Sequence, residues 1–230
     1  MRIVFFCHSL LSDWNHGNAH FLRGVLTELI QRGHDVRAFE PRGAWSMENL
    51  LADHGPAILD GFHATYPLLR SETYDLATLD LDRALERADV VVVHEWSEPA
   101  LVQRVGEHRK RTRDYVLLFH DTHHRMVTQP SEMSRYELSH YDGVLAFGEV
   151  LRALYLERAI EIERRFHVRH DGHAGHQRRR LGQRIRPAIA ERVGFAPAMR
   201  RLINRHLMSQ ADQFARQPAQ EMRIPVIPAG

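Results

Sequence analysis

Three short apolar runs in this chain each end in a histidine: Ile3-Val4-Phe5-Phe6-Cys7-His8, Val90-Val91-Val92-Val93-His94 and Val116-Leu117-Leu118-Phe119-His120. Imidazole donates a hydrogen bond and titrates near neutrality, so it suits contact with a substrate hydroxyl or phosphate. The third run opens the densest cluster, His120-Asp121-Thr122-His123-His124. Three imidazoles and a carboxylate so close together invite a metal reading, that of a metal-dependent hydrolase. Zinc, however, needs three or four ligands converging tetrahedrally, and no cysteine ligand or His-Glu-x-x-His helix supports it here. A plainer reading is a polar loop with Asp121 capping the next turn. The middle reading points His120 into a cleft against a substrate hydroxyl or phosphate, with Asp121 a further substrate-binding candidate. His123 and His124 suit cleft and solvent equally.

Two further constellations bear chemistry. In His94-Glu95-Trp96, His94 or Glu95 would orient a polar substrate and Trp96 would offer a flat apolar face to a sugar. The plain alternative packs Trp96 on the sheet end and leaves Glu95 in solvent. In Asp13-Trp14-Asn15-His16-Gly17-Asn18, Gly17 allows close backbone approach, and the free N–H groups of a following helix favour an anion. His16, Gly17 and Asn18 are therefore the candidate phosphate loop. Cys7 sits inside an apolar run and reads as a small buried hydrophobe rather than a nucleophile.

These residues need a scaffold that brings strand ends together. Runs rich in Val, Ile and Phe, bounded by polar residues, read as strands buried on both faces of a parallel sheet. In open α/β sheets the ligand sits beyond the carboxyl ends of such strands. Helical stripes alternate with them: Phe21, Leu22, Val25, Leu26, Leu29 and Ile30, closed by Gly33; Leu81, Ala84, Leu85 and Ala88; and Leu101, Val102 and Val105 behind Ser97 and Pro99. Further strands are expected over His34 to Phe39 and over Gly143 to Phe147. The latter leads through Gly148 into a helix carrying Val150, Leu151 and Leu154. Between Pro41 and Thr78 the pattern is poor: Ser46 would cap a short helix, and Gly61 to Pro67 reads as irregular. The expected fold is α/β, a Rossmann-like parallel sheet with flanking helices.

Composition bounds the rest. Residues 157–230 hold 15 Arg against 7 Asp plus Glu, a local net of +8, which leaves −6 for residues 1–156. Tryptophan and tyrosine do not recur after Tyr155. A boundary near residue 156 follows, separating a 1–156 domain from a basic 157–230 tail that reads as mostly helical or disordered. Aromatics to stack on bases are nearly absent from the tail, which argues against a nucleic-acid partner. No apolar stretch approaches the roughly 18 residues needed to span a membrane, which leaves peripheral contact open. A single cysteine excludes an internal disulfide framework and points to a reducing, cytoplasmic setting. Absent fingerprints disfavour dinucleotide oxidoreductases, P-loop enzymes and serine hydrolases.

Taken in order, residues 1 to about 156 resemble the N-terminal, acceptor-side domain of a GT-B glycosyltransferase of the family-4, CgeB-like kind. The residues that carry the likeness are Met1 to Phe6, His16-Gly17-Asn18-Ala19-His20-Phe21-Leu22 and Leu29-Ile30-Gln31-Arg32-Gly33-His34-Asp35-Val36. Val93-His94-Glu95, Phe119-His120-Asp121 and Tyr141 to Phe147 complete the set. The resemblance implies sugar transfer from a nucleotide-sugar donor to a carbohydrate or other hydroxyl acceptor, with no metal or cofactor. It puts the loop matching Gly17 at the donor phosphates and the histidine matching His120 near the reacting sugar, in a catalytic role. Two departures are visible. His16-Gly17 stands where the family has a Gly-Gly pair, and residues 157–230 do not read as the family's donor-binding domain. The expectation is a truncated transferase, inactive alone; the alternative is a non-catalytic sugar- or anion-binding module.

Overall fold

The computed structural model describes residues 1–14 and 17–157. Six strands form one sheet: β1 (Arg2–Phe6), β2 (Asp35–Pro41), β3 (Ser71–Tyr74), β4 (Val90–His94), β5 (Val116–Asp121) and β6 (Gly143–Ala146). Their helices are α1 (Asn18–Gln31), α2 (Trp45–His54), α3 (Ile58–Thr65), α4 (Leu81–Ala84), α5 (Pro99–Thr112), α6 (Arg125–Thr128) and α7 (Pro130–Met133). Residues 149–157 are helical as well. Every strand pair is parallel, and the spatial order is β3-β2-β1-β4-β5-β6. This is the doubly wound, Rossmann-like order, whose direction of winding reverses between β1 and β4.

The three central strands match the three histidine-ended runs because they alone are apolar on both faces. One face carries Val4, Phe6, Val91, Val93, Leu117 and Phe119 against Leu101, Val102 and Val105 of α5. The alternating set, Ile3, Phe5, Val90, Val92 and Leu118, is also buried, as are Ala19, Leu22 and Leu26 of α1. Gly33, just past α1, has φ +79°, the left-handed conformation expected of a residue that ends a helix.

Three features differ from the sequence expectation. Gly61 to Tyr66 is not irregular: α3 spans most of it, although Phe62 is its one buried residue. A helix with a single buried side chain leaves no periodic stripe to read. The edge strand β3 likewise buries only Tyr74, so it lacks an apolar run. Ser46 does not cap α2. Ala44 stands at the cap, and Ser46 lies inside the first turn, its carbonyl accepting a bond from Ser12 Oγ at 2.7 Å. The 157–230 tail lies outside the described residues except for Glu157.

Candidate functional site

Register brings the strand ends into line. Phe6 pairs with Val93 and Val93 with Phe119, so the next row holds His94 opposite His120. Side chains alternate between faces along a strand. His94 and His120 therefore project to the face opposite Phe119, and their rings meet edge to face with centroids 5.1 Å apart. Both are buried. The Trp96 N–H donates to His94 Nδ1 at 3.4 Å, which selects the neutral tautomer protonated on Nε2. That nitrogen faces Thr122 Oγ1, also at 3.4 Å.

His120 is held differently. Its ring lies 5.6 Å from Phe21 of α1, and Phe21 in turn meets Phe147 edge-on at 6.2 Å. Its Nδ1 is buried and has no hydrogen-bond partner among the described residues. Burial in this aromatic setting holds the imidazole down at about 4, so it is neutral at physiological pH. A buried polar atom without a partner costs on the order of 1–3 kcal/mol. Such an atom at the carboxyl edge of the sheet is where a ligand group would repay that cost.

Glu95 and Asp121 are both fully buried, so neither is solvated and neither presents a surface to a ligand. Alternation sends Asp121 to the face opposite its neighbour His120. Glu95 Oε1 accepts from Thr122 N at 2.8 Å and from Thr122 Oγ1 at 3.1 Å. Asp121 caps the following turn as expected, accepting from His123 N at 3.1 Å, and also accepts from Tyr155 Oη at 2.7 Å. Trp96 is half-buried, with the Arg125 guanidinium 4.5 Å above its ring and His123 against it edge-on. The flat face expected to meet a sugar is therefore partly covered. His123 and His124 stack on each other with centroids 4.0 Å apart. Among the described residues, no group of three or more His, Cys, Asp or Glu side chains converges as metal ligands would.

The connection from β1 to α1 forms the other wall. Leu10 and Leu11 lie outside secondary structure, yet their backbone groups are satisfied by two charged side chains. Glu40 accepts from both N–H groups, and Arg23 donates to both carbonyls at 2.8 Å. Arg23 also reaches Asp13 at 3.1 Å and lies over the rings of Phe62 and Tyr66. Burial pushes the Glu40 carboxyl up, opposed by these N–H bonds and by Arg23. The fixed loop presents Trp14, whose Nε1 donates to Asp53 at 2.6 Å and whose ring meets Trp45 edge-on at 5.9 Å. Trp45 is 41% exposed, and His8 lies 5.2 Å from it. Cys7 is buried beneath, its thiol pushed well up by burial, as an inert core residue is.

Gly17 and Asn18 stand where the helix begins; His16 lies outside the described residues. Gly17 has φ −55° and ψ −26°, which any residue adopts, and open space where a Cβ would sit. Among the described residues, none crowds that position. Gly17→Ala is accordingly expected to leave thermal stability unchanged or raise it by about 0.5 kcal/mol. If a phosphate passes at this backbone, the same substitution weakens its binding at least tenfold in a titration.

At the opposite edge of the sheet lies a cavity of about 710 Å³, lined by Arg2, Asp35, Asp82, Arg87, His108 and Tyr115 among others. Its polar groups largely satisfy one another: Arg2 pairs with Asp35 at 2.7 Å, and His108 bridges Tyr115 Oη and Asp82 at 2.9 and 3.0 Å. The histidine edge, with its unpartnered imidazole nitrogen, is the better candidate.

The chain matches no family model, curated protein or solved structure. Sequence reading overlooked Arg23, Glu40, Trp45 and Tyr155. Arg23 alone left a trace, since it falls at helical spacing beside Ala19, Leu22 and Leu26 on the buried face of α1.

Proposed function

We propose that the described unit is the acceptor-side half of an enzyme transferring a sugar from a nucleotide-sugar to a hydroxyl acceptor, with His120 touching the reacting sugar. One observation carries this reading: a buried neutral imidazole with an unpartnered nitrogen at the carboxyl edge beside the β1/β4 switch. An imidazole held near 4 is too weakly basic to take a proton from an acceptor hydroxyl at neutral pH. Its role is to hold a hydrogen bond to a hydroxyl or to charge developing as the sugar departs. The resemblance of the ordered motifs to GT-B acceptor domains supplies the substrate class.

The Trp14–Trp45 corner suits the apolar face of an acceptor sugar, taking the part first assigned to Trp96. Trp45→Ala is expected to weaken glycan binding about tenfold while leaving the fold intact, because the ring is already partly in solvent. Calorimetry against a glycan panel checks it; unchanged affinity removes Trp45 from the site.

The deciding experiment titrates the full chain with nucleotide-sugars and with glycans. Donor binding, lost in His120→Ala, supports the transferase half, which is expected to release no nucleoside diphosphate on its own. Failure to bind either ligand overturns the proposal. A second reading, a non-catalytic sugar-binding module, is favoured by the full burial of Glu95 and Asp121, which leaves neither beside His120 as an exposed base. Glycan binding without donor binding selects it.

A further inference from the structure

The pairing of Glu95 with Asp121 is not used by the proposed transfer. Both carboxyls are fully buried. The oxygens of Asp121 are engaged by the His123 N–H and the Tyr155 hydroxyl. Glu95 Oε1 is engaged twice by Thr122, while Oε2 meets no N–H or O–H donor among the described residues. The register that sets His94 opposite His120, with Glu95 N bonded to the His120 carbonyl at 2.9 Å, places Glu95 and Asp121 beside each other on the opposite face. The charged and titratable groups around the pair are His94 on β4, His120 on β5, His123, Arg125 on α6, Tyr136 and Tyr155. Among the described residues, none supplies a cation to Oε2. Arg125 instead reaches the Glu95 backbone carbonyl at 3.3 Å, and the Tyr136 hydroxyl donates to that same carbonyl. Two carboxylates held together without a facing cation cannot both ionise; one keeps a proton.

We propose that Glu95 and Asp121 share one proton at neutral pH, carried on Glu95 Oε2 and donated to Asp121, and that this bond positions the histidine edge. It holds Glu95 Oε1 toward Thr122, whose hydroxyl donates to Glu95 and accepts from His94 Nε2. It also leaves Asp121 able to accept from Tyr155, which ties helical residues 149–157 to the end of β5. Glu95 and Asp121 are thus positioning residues, acting on the His94 ring that packs against His120. The inference holds whatever the site binds. Burial and then the Asp121 charge push the Glu95 carboxyl up to about 8, in accord with the geometry.

The test uses the full chain labelled with ¹³C at glutamate side-chain carboxyls, with the Glu95 resonance assigned by Glu95→Gln. That resonance is expected to titrate near 8; titration in the ordinary glutamate range overturns the proposal. A second readout is stability against pH. A carboxyl raised on folding adds stability below its unfolded value, and this is lost as pH rises toward the folded value. Wild type is thus expected to lose stability relative to Glu95→Gln, by a slope of one proton, between roughly pH 5 and 8. Equal slopes refute it. For positioning, the ¹⁵N shift of His94 Nε2 reports its hydrogen bond to the Thr122 hydroxyl, the tautomer itself being held by the Trp96 backbone N–H. Glu95→Gln, which mimics the protonated acid, is expected to keep that bond and Glu95→Ala to lose it. Loss in both variants refutes the positioning role. If Glu95→Ala does not fold, the wild-type titration and the glutamine variant still decide.

Discussion

Arg23→Met is expected to cost the folded chain about 3 kcal/mol and to lower its melting temperature by on the order of 10 °C. Methionine keeps much of the volume packed over Phe62 and Tyr66, so the cost isolates the guanidinium. Without it the buried Leu10 and half-buried Leu11 carbonyls lose their donor, and among the described residues Asp13 keeps only His20 as an ionic partner. Each unpaired buried carbonyl costs roughly 1–3 kcal/mol. Arg23→Lys is expected to recover little, since an ammonium cannot span both carbonyls as the planar fork does. Thermal unfolding checks both variants. A loss below about 1 kcal/mol for the methionine variant would show that the loop finds other donors.

His120→Phe is expected to part function from stability. Nucleotide-sugar or glycan binding should weaken about tenfold, the worth of one hydrogen bond lost from a buried site. Stability should not fall, because phenylalanine keeps the contact with Phe21 and removes a buried nitrogen that has no partner. The sign of the pH effect follows from the imidazole lying at about 4 when folded and near 6.5 when unfolded. Between those values the unfolded chain binds the extra proton, so wild type loses stability as pH falls from 6.5 toward 4. At pH 5 the penalty is about 2 kcal/mol, and the phenylalanine variant escapes it. Denaturant melts at pH 5 and pH 7 measure the difference. A wild type whose stability tracks the variant at both pH values would mean that His120 is not held neutral by burial.

The central strands were legible because Val, Ile and Phe runs buried on both faces leave few alternatives. Edge elements were not: β3 and α3 each bury one residue, and no periodicity survives at that density. The candidate site was half legible. His94 and His120 followed from where their strands end. Adjacency misled at Asp121, because alternation turns neighbouring side chains to opposite faces, and at Glu95, because a carboxylate is ordinarily assigned to solvent. Trp45 joins the site only once β2 and α2 bring it back beside the loop after β1, a pairing of distant segments that local pattern does not encode.

The strand order has a consequence for how this molecule reaches its folded state. Beside the β1–β4 contact, Arg2 bonds Asp89, just before β4, at a sequence separation of 87, whereas β4 and β5 close over a much shorter span. Long closures are entropically expensive and form slowly. His94 and His120 can meet while β1 is still unattached, but the Trp14 wall arrives only with β1. An edge that needs α1 beside His120 is therefore completed only after this long closure. On refolding, the Phe21–His120 contact should lag the pairing of β4 with β5.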